Sequence, residues 1–336
     1  MPEISVLLPC YNGAATLHET LASLAAQTFA DYEILAVDDG STDATPALLA
    51  AAAEREPRLR VLTFPHGGIV AALNAGLAEC RGRFIARMDA DDTSPPERLA
   101  VQRAWFDAHP DTDILGCRVQ ALGPQDEGFA LYLDWLNSLM TDEDIRRELW
   151  VESPLAHPGV MLRREAYAAL GGYLDHGWPE DYDLWLRAAA AGLRFAKTPE
   201  TLLAWRDHPA RLTRRDDRYS RANFLRAKVH YLPSGPLVGH DALILWGAGD
   251  LGRAFSKLLK EAGHSPAAYI DIDPRKVGRT RYGRPILPPD ALPAEWARHA
   301  NPVLLVAVGA RGARALIRAQ LTGMNFIEGR DWWAAA

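Results

Sequence analysis

A chain of 336 residues, 48% hydrophobic and 24% charged, exceeds the usual size of one domain and has the composition of an ordinary globular protein, so two domains are expected. Its formal net charge of -6 argues against a nucleic-acid partner, whose phosphates would need neutralising in numbers. Cys10, Cys80 and Cys117 lie far apart with no CxxC pair, which disfavours a disulfide framework or a thiolate zinc site.

No basic leader precedes the first apolar run, and no stretch approaches the ~20 apolar residues of a membrane span. A cytoplasmic location is therefore expected, with the inner face of the membrane as the alternative place of work. In chain order, Ile4 to Leu8, Glu33 to Val37, Arg60 to Phe64 and Arg83 to Met88 are short β-branched or aliphatic runs and read as strands. Between them Ala14 to Gln27, Thr45 to Arg55 and Ile69 to Glu79 carry apolar residues at helical spacing. This alternation predicts a mostly parallel sheet with right-handed crossovers, whose ligands sit beyond the carboxyl ends of the strands. Pro9 to Asn12, Asp38 to Asp43 and Asp89 to Asp92 all fall there.

Further on, Pro96 to His109 and Glu180 to Ala191 read as helices, and the Gly-, Pro- and His-rich stretches Glu152 to Gly159 and Gly171 to Pro179 as loops. A helix over Asp216 to Tyr231 leads into a Pro- and Gly-rich stretch that marks a linker at 233–240 between a first domain, 1–232, and a second, 241–336. There Ala242 to Trp246 begins a fresh strand and helix alternation, which continues through Ala267 to Ile270 and Val303 to Val308.

The chemistry concentrates in carboxylates. Asp89-Ala90-Asp91-Asp92 follows an apolar strand directly, a D-x-D placement in which oxygen ligands suit Mg²⁺ or Mn²⁺ and a nucleotide diphosphate completes the shell. Taken alone, such a run is also a common solvated turn or helix cap. Asp38-Asp39-Gly40-Ser41-Thr42-Asp43 offers a carboxylate to a base or ribose, with ligand contact assigned mainly to Asp39 and the cap to Thr42 or Asp43. In the first loop, Tyr11 is placed to stack on a base, next to Pro9 and Asn12.

Pro9-Cys-Tyr-Asn-Gly13, SLAAQT at Ser23 to Thr28, VDDGSTD, LNAGL at Leu73 to Leu77, MDADD followed by PPERL, and EDYDLWLR at Glu180 to Arg187 together resemble the family 2 glycosyltransferases with the GT-A fold, over roughly residues 3 to 230. The resemblance implies that Pro9, Asp39 and Asp91 serve the nucleotide and metal with Asp89 in support. It further implies that Asp181, paired with Glu180, is the catalytic base. Tyr11, Asn12, Asp38 and Asn74 are the accompanying nucleotide-side candidates. Where members often carry Arg-Asn, this chain has Leu73-Asn74, so a donor contact through that arginine is absent or supplied elsewhere. His208, which precedes the arginines at 211, 214, 215, 218 and 221, resembles part of a mobile segment that closes over the diphosphate, and is a candidate for metal or phosphate. These arginines also suit anionic lipid headgroups, and so peripheral membrane association.

The reaction so implied is inverting transfer from a nucleotide-diphosphate sugar, most commonly a UDP-sugar, to a glycan or lipid-linked acceptor in surface polysaccharide synthesis. Asp181 would take the acceptor proton in one in-line displacement. The loop Ser153 to Gly159, with His157, and Trp178 read equally as the lining of an acceptor pocket, since sugar rings pack on aromatic faces, or as a loop histidine and a buried tryptophan. Two other readings stay open: a silent nucleotide-sugar sensor, and an oxidoreductase driven by the second domain. In that domain Gly247-Ala-Gly249-Asp-Leu-Gly252 follows a strand and opens a helix, with Asp271 about 20 residues on, the pattern of a dinucleotide fingerprint. Two readings stay open for this Rossmann-like α/β domain: a nucleotide or NAD(P) held at these turns, or glycines kept for packing with nothing bound. No tyrosine in it has a lysine four residues on, so the usual acid-base pair of short-chain reductases is missing.

Overall fold

A computed structural model describes residues 1–209 and 211–336. The chain forms two compact units: Met1–Ile145 with Pro154–Asp216, and Arg146–Ser153 with Asp217–Ala336.

The first unit is built on strands β1 (Ile4–Cys10), β2 (Tyr32–Asp38), β3 (Leu59–Thr63), β4 (Phe84–Arg87), β5 (Ile114–Leu122), β6 (Met161–Arg163) and β7 (Phe195–Arg206), in the order β3-β2-β1-β4-β6-β5-β7. Only β6 runs against its neighbours β4 and β5. Every residue of β1 and β2 is buried, which is why both read as near-continuous apolar runs rather than alternating ones. Helices Leu17–Ala25, Thr45–Ala53 and Ile69–Glu79 cover the sheet. The last comes very close: a Cβ on Gly76 would lie 2.2 Å from Leu7 Cδ1 and 2.8 Å from Val37 Cγ2. Because β1 lies between β2 and β4, the loops after all three strands share one rim.

In the second unit β8 (Ala242–Trp246), β9 (Ala268–Ile270), β10 (Thr280–Arg281), β11 (Arg284–Leu287), β12 (Pro302–Val306) and β13 (Trp332–Ala334) follow the order β10-β11-β9-β8-β12-β13. Apart from the β10–β11 hairpin the pairing is parallel. The short piece 146–153 is tied in by charge: Glu148 pairs with Arg314 at 2.6 Å and Arg318 at 2.8 Å. The buried Lys228 Nζ donates to Val151 O at 2.8 Å and to Ala335 O at 3.2 Å.

The helix expected over 216–231 is broken. A 3₁₀ turn, Asp217–Tyr219, precedes helix Arg221–Tyr231, whose start is capped by Ser220 accepting from Asn223 N. The Pro- and Gly-rich stretch after it opens with a 3₁₀ turn, Leu232–Ser234, and Leu232 is buried. Among the described residues no helix is long and apolar enough to cross a membrane.

Candidate active site

The β1 and β2 loops are stitched to each other. Asn12 adopts a positive φ of 50°; its Oδ1 accepts from Thr42 N at 2.8 Å and its N donates to Ser41 Oγ at 2.9 Å. Asp43 accepts from Thr45 N at 2.9 Å and from Ala14 N at 3.1 Å and so ties the first loop to the start of helix Thr45–Ala53; the cap position itself is Ala44, not Thr42 or Asp43, and carries no side-chain cap bond. The buried Asp38 accepts from Ser41 N at 3.1 Å.

Next to it, Asp39 accepts from Gly67 N at 2.8 Å and Gly68 N at 2.9 Å, and its Oδ2 lies 2.8 Å from His66 Nδ1. His66 in turn stacks on Tyr11 with ring centroids 4.1 Å apart. Gly40, at φ +70°, lets the turn pass: a Cβ there would meet His66 N at 2.6 Å. The result is an aromatic and imidazole ledge, with Tyr11 48% exposed, beside a carboxylate held rigid by backbone amides.

After β4, ligand atoms of Asp89, Asp91 and Asp92 all lie within 4.8 Å of one another. Asp92 is fully buried; its Oδ1 accepts from Arg206 N at 2.7 Å, whereas Oδ2 has no hydrogen-bond partner. Burial first, and then Asp91 and Asp89, push the Asp92 carboxyl well above the usual carboxylate range. The end of β7 clamps this loop. Arg206 Nε donates to Asp91 O at 2.8 Å, its second arm pairs with Glu19 at 2.7 Å, and His208 Nε2 lies 2.9 Å from Asp91 Oδ2. Crowded carboxylates, one buried oxygen without a partner and an adjacent imidazole form a donor set that fits a divalent cation.

Glu180 and Asp181 open the helix Glu180–Ala190, where carboxylates are favoured by the helix dipole. Glu180 is 2% exposed, and Asp181, partly exposed, accepts from Tyr182 N at 2.7 Å. Behind Glu180, His157 Nδ1 lies 3.8 Å from Glu180 Oε1 and its Nε2 is 2.7 Å from Tyr173 OH, which is 3.0 Å from Tyr167 OH. Burial, and then the Arg87 charge, push His157 well below the usual imidazole range, so it is neutral. Burial likewise pushes the Tyr173 phenol well up.

A buried cation stands beside the cluster after β4. Arg87, 3% exposed, pairs with Asp89. Burial alone would lower its pKa, but attraction to the Asp89 carboxylate outweighs this and keeps it charged. Its Nε has no hydrogen-bond partner. The loop that carries Tyr173 is locked by Asn74, whose Nδ2 donates to Tyr173 O at 2.8 Å while Oδ1 accepts from Tyr173 N at 2.9 Å. Asp183 accepts from Trp178 Nε1 at 2.8 Å and Arg187 Nε at 2.7 Å, which fixes Trp178 against the same helix.

The structure thus groups Tyr11, Asn12, Asp38 and Asp39 on one part of the rim. Asp89 and Asp91 sit with His208 on the next, and Glu180 and Asp181 open the helix Glu180–Ala190. Pro9 is buried within β1 opposite Val37, and the Asn74 amide is spent on the Tyr173 backbone. Gly247, Gly249, Gly252 and Asp271 belong to the second unit. Four contributors escaped sequence reasoning: Asp92, His66, Arg87 and Arg206. Asp92 stood in the acidic run itself, and Arg87 two residues before it, but His66 and Arg206 carry no motif.

A nucleotide-diphospho-sugar transferase is the class this rim and carboxylate cluster define. The family model described as Glycosyl transferase family 2 matches residues 5–171. Amylovoran biosynthesis glycosyltransferase AmsE of Erwinia amylovora is 33% identical over 202 residues, 59% of this chain and 74% of that protein. Putative glycosyltransferase EpsE of Bacillus subtilis is 30% identical over 224 residues, 65% of this chain and 78% of that one. O-antigen biosynthesis protein RfbC of Myxococcus xanthus is 36% identical over 216 residues, 62% of this chain but only 16% of RfbC. The chain belongs to glycosyltransferase family 2.

Two solved structures share its fold. S. aureus TarS 1-349 in complex with UDP superposes with a TM-score of 0.54 at 19% identity, covering 78% of this chain and 70% of that one. The mannosyltransferase PcManGT of Pyrobaculum calidifontis, in complex with GDP-Man and Mn²⁺, gives 0.52 at 21% identity, covering 69% and 63%. The expected GT-A architecture of the first unit is thereby borne out.

Proposed function

We propose that the chain is a metal-dependent, inverting glycosyltransferase of surface polysaccharide synthesis, which moves a sugar from a nucleotide diphosphate, with UDP the first nucleotide to test, to a glycan or lipid-linked hydroxyl. The observation that carries this reading is the cluster of Asp89, Asp91 and Asp92 with the buried, partnerless Asp92 oxygen, on the same rim as the Tyr11, His66 and Asp39 ledge. The names of AmsE and RfbC support the pathway class, and the ligands of TarS and PcManGT support a nucleotide-sugar donor and a divalent cation.

In this reading Asp91, Asp89 and Asp92 with His208 hold Mg²⁺ or Mn²⁺, and the cation supplies Lewis acidity toward the departing diphosphate. Tyr11 offers a stacking face to the base, and the amide-held Asp39 accepts from base or ribose. Asp181, partly exposed at its helix start, takes the proton of the acceptor hydroxyl as it attacks. Glu180, buried beside neutral His157, holds that helix start in place. Hydrolysis is disfavoured because glycosidases set acid and base on opposite sides of the scissile bond, several ångströms apart, whereas Glu180 and Asp181 are adjacent. Incubation with a panel of nucleotide sugars, Mn²⁺ and acceptor extracts tests the proposal: nucleoside diphosphate is released with wild type and not with Asp91→Ala. Equal release in EDTA would defeat the metal assignment.

A further inference from the structure

The second unit contains a cavity of about 660 Å³ that the transfer reaction does not use. Its place follows from topology. The strand order β9-β8-β12 puts β8's sequence successor on one side and β12 on the other, so the chain reverses its winding direction at the β8/β12 boundary. The crevice at such a switch point is where open α/β sheets bind ligands. Here it is lined by Trp246 and Gly247 at the end of β8, Asp271 after β9, and Ala307 to Gly309 after β12.

Two helices of 12 and 11 residues, Asp250–Glu261 and Ala313–Gly323, begin at this cavity, and helix starts present unpaired amides to anions. Glycine makes the approach possible. Gly247 has φ +119°, and a Cβ on it would lie 2.5 Å from Ala307 O; one on Gly252 would lie 1.8 Å from Gly247 O. Gly249 differs, because nothing stands within 4 Å of the position its Cβ would take. Gly249 is itself part of the cavity lining. Arg221 and Lys276 contribute cations to the lining, and Ile272 and Leu316, 76% and 75% exposed, contribute apolar side chains.

We infer that this cavity binds the diphosphate of a nucleotide, independently of the first unit's site and without a metal. The diphosphate lies over Gly249 at the two helix starts, and the base packs on Ile272 and Leu316. Metal independence follows from the carboxylates. Asp271 accepts from Ala248 N at 2.7 Å, from Asp273 N at 2.9 Å and from Lys276 Nζ at 3.1 Å, and Asp273 pairs with Arg275 at 2.9 Å. Among the described residues the metal-ligating cluster is Asp89, Asp91 and Asp92, in the other unit. Among the described residues no His, Cys, Ser or Tyr lines the cavity, and the inference is confined to binding.

The test uses the full chain carrying Asp91→Ala, in EDTA, so that the first site's fate does not enter. Calorimetric titration with ADP, UDP, UDP-GlcNAc and NADH should give one binding event per chain for at least one of them, and the winner separates a sugar nucleotide from a dinucleotide as the source of the diphosphate. Gly249→Glu fills open space with a like charge and should weaken binding at least about tenfold with thermal unfolding unchanged. Leu316→Glu, at a 75% exposed position, should do so independently through the base. Absence of binding by all four ligands, or binding undiminished in both variants, overturns the inference.

Discussion

Asp92→Asn is the substitution that most directly interrogates the carboxylate cluster. The three acidic groups lie within 4.8 Å of one another, and two unit charges at that separation repel by roughly 3.5 kcal/mol at an effective dielectric of about 20. Asp92 sits in this field fully buried, and its carboxyl is held well above the usual range, so proton binding already relieves part of the strain. The isosteric amide keeps the acceptor for Arg206 N and turns a donor toward the neighbouring carboxylates. In EDTA the variant should therefore be more stable than wild type by about 1–3 kcal/mol, a rise of roughly 2–4 °C per kcal/mol for a unit of this size. Wild type should gain about 2.7 kcal/mol when Mn²⁺ is raised to about 100 times its dissociation constant, and Asp92→Asn much less. Differential scanning fluorimetry with and without Mn²⁺ reads both effects. A variant less stable than wild type in EDTA, or a wild type indifferent to Mn²⁺, would refute the reasoning.

Asp181→Asn should lower kcat by about 10²- to 10⁴-fold with little change in donor KM, the signature of a lost proton acceptor; a purely structural role would raise KM or lower the unfolding temperature. Lys197, 1% exposed and hydrogen-bonded to Leu136 O and Pro154 O, is pushed by burial from 10.5 to about 7. Between those values the unfolded chain binds the extra proton, so stability should rise as pH climbs from about 7 toward 10.5, by up to about 5 kcal/mol in order of magnitude. Urea unfolding of wild type and Lys197→Met across that range checks it, since the variant should lack this contribution. In the second unit, Gly252→Ala drives a Cβ to 1.8 Å from a backbone oxygen and should cost about 1–3 kcal/mol or more. Gly249→Ala, with open space, should stay within about 0.5 kcal/mol by the same denaturation assay.

What the bare sequence revealed follows from where its signals are local. β1, β2 and β4 are buried runs ending in loops of Asp, Asn and Gly, so a periodicity reading locates both the strands and the rim, and the helix Ile69–Glu79 is read residue for residue. β7 escapes it. The strand is interrupted by Pro199 and Glu200, and its pairing with β5 shifts register between Cys117 and Val119, so no alternating or continuous apolar pattern survives. That omission hid Arg206, which reaches Asp91 and Asp92 because the end of β7 bridges antiparallel to Thr93 through Ala204.

The same limit governs roles within the site. Asn74 lies in a motif that points to the donor, yet its amide closes a two-way clamp on Tyr173, 99 residues away; a motif marks a constrained position without saying which partner imposes the constraint. Arg87 shows the reverse. It looks like an ordinary strand residue until burial is known, and a buried guanidinium paired with Asp89 then has an electrostatic reason to be there. Three clustered carboxylates and a buried glutamate are hard to keep ionised near one another without a fixed positive charge. Arg87→Met should therefore disturb Mn²⁺ stabilisation and transfer together, and Arg87→Lys should restore part of both. If Mn²⁺ stabilisation and transfer responded separately to Arg87→Met, the two ends of the site would be independent, and the guanidinium would be a packing element of β4.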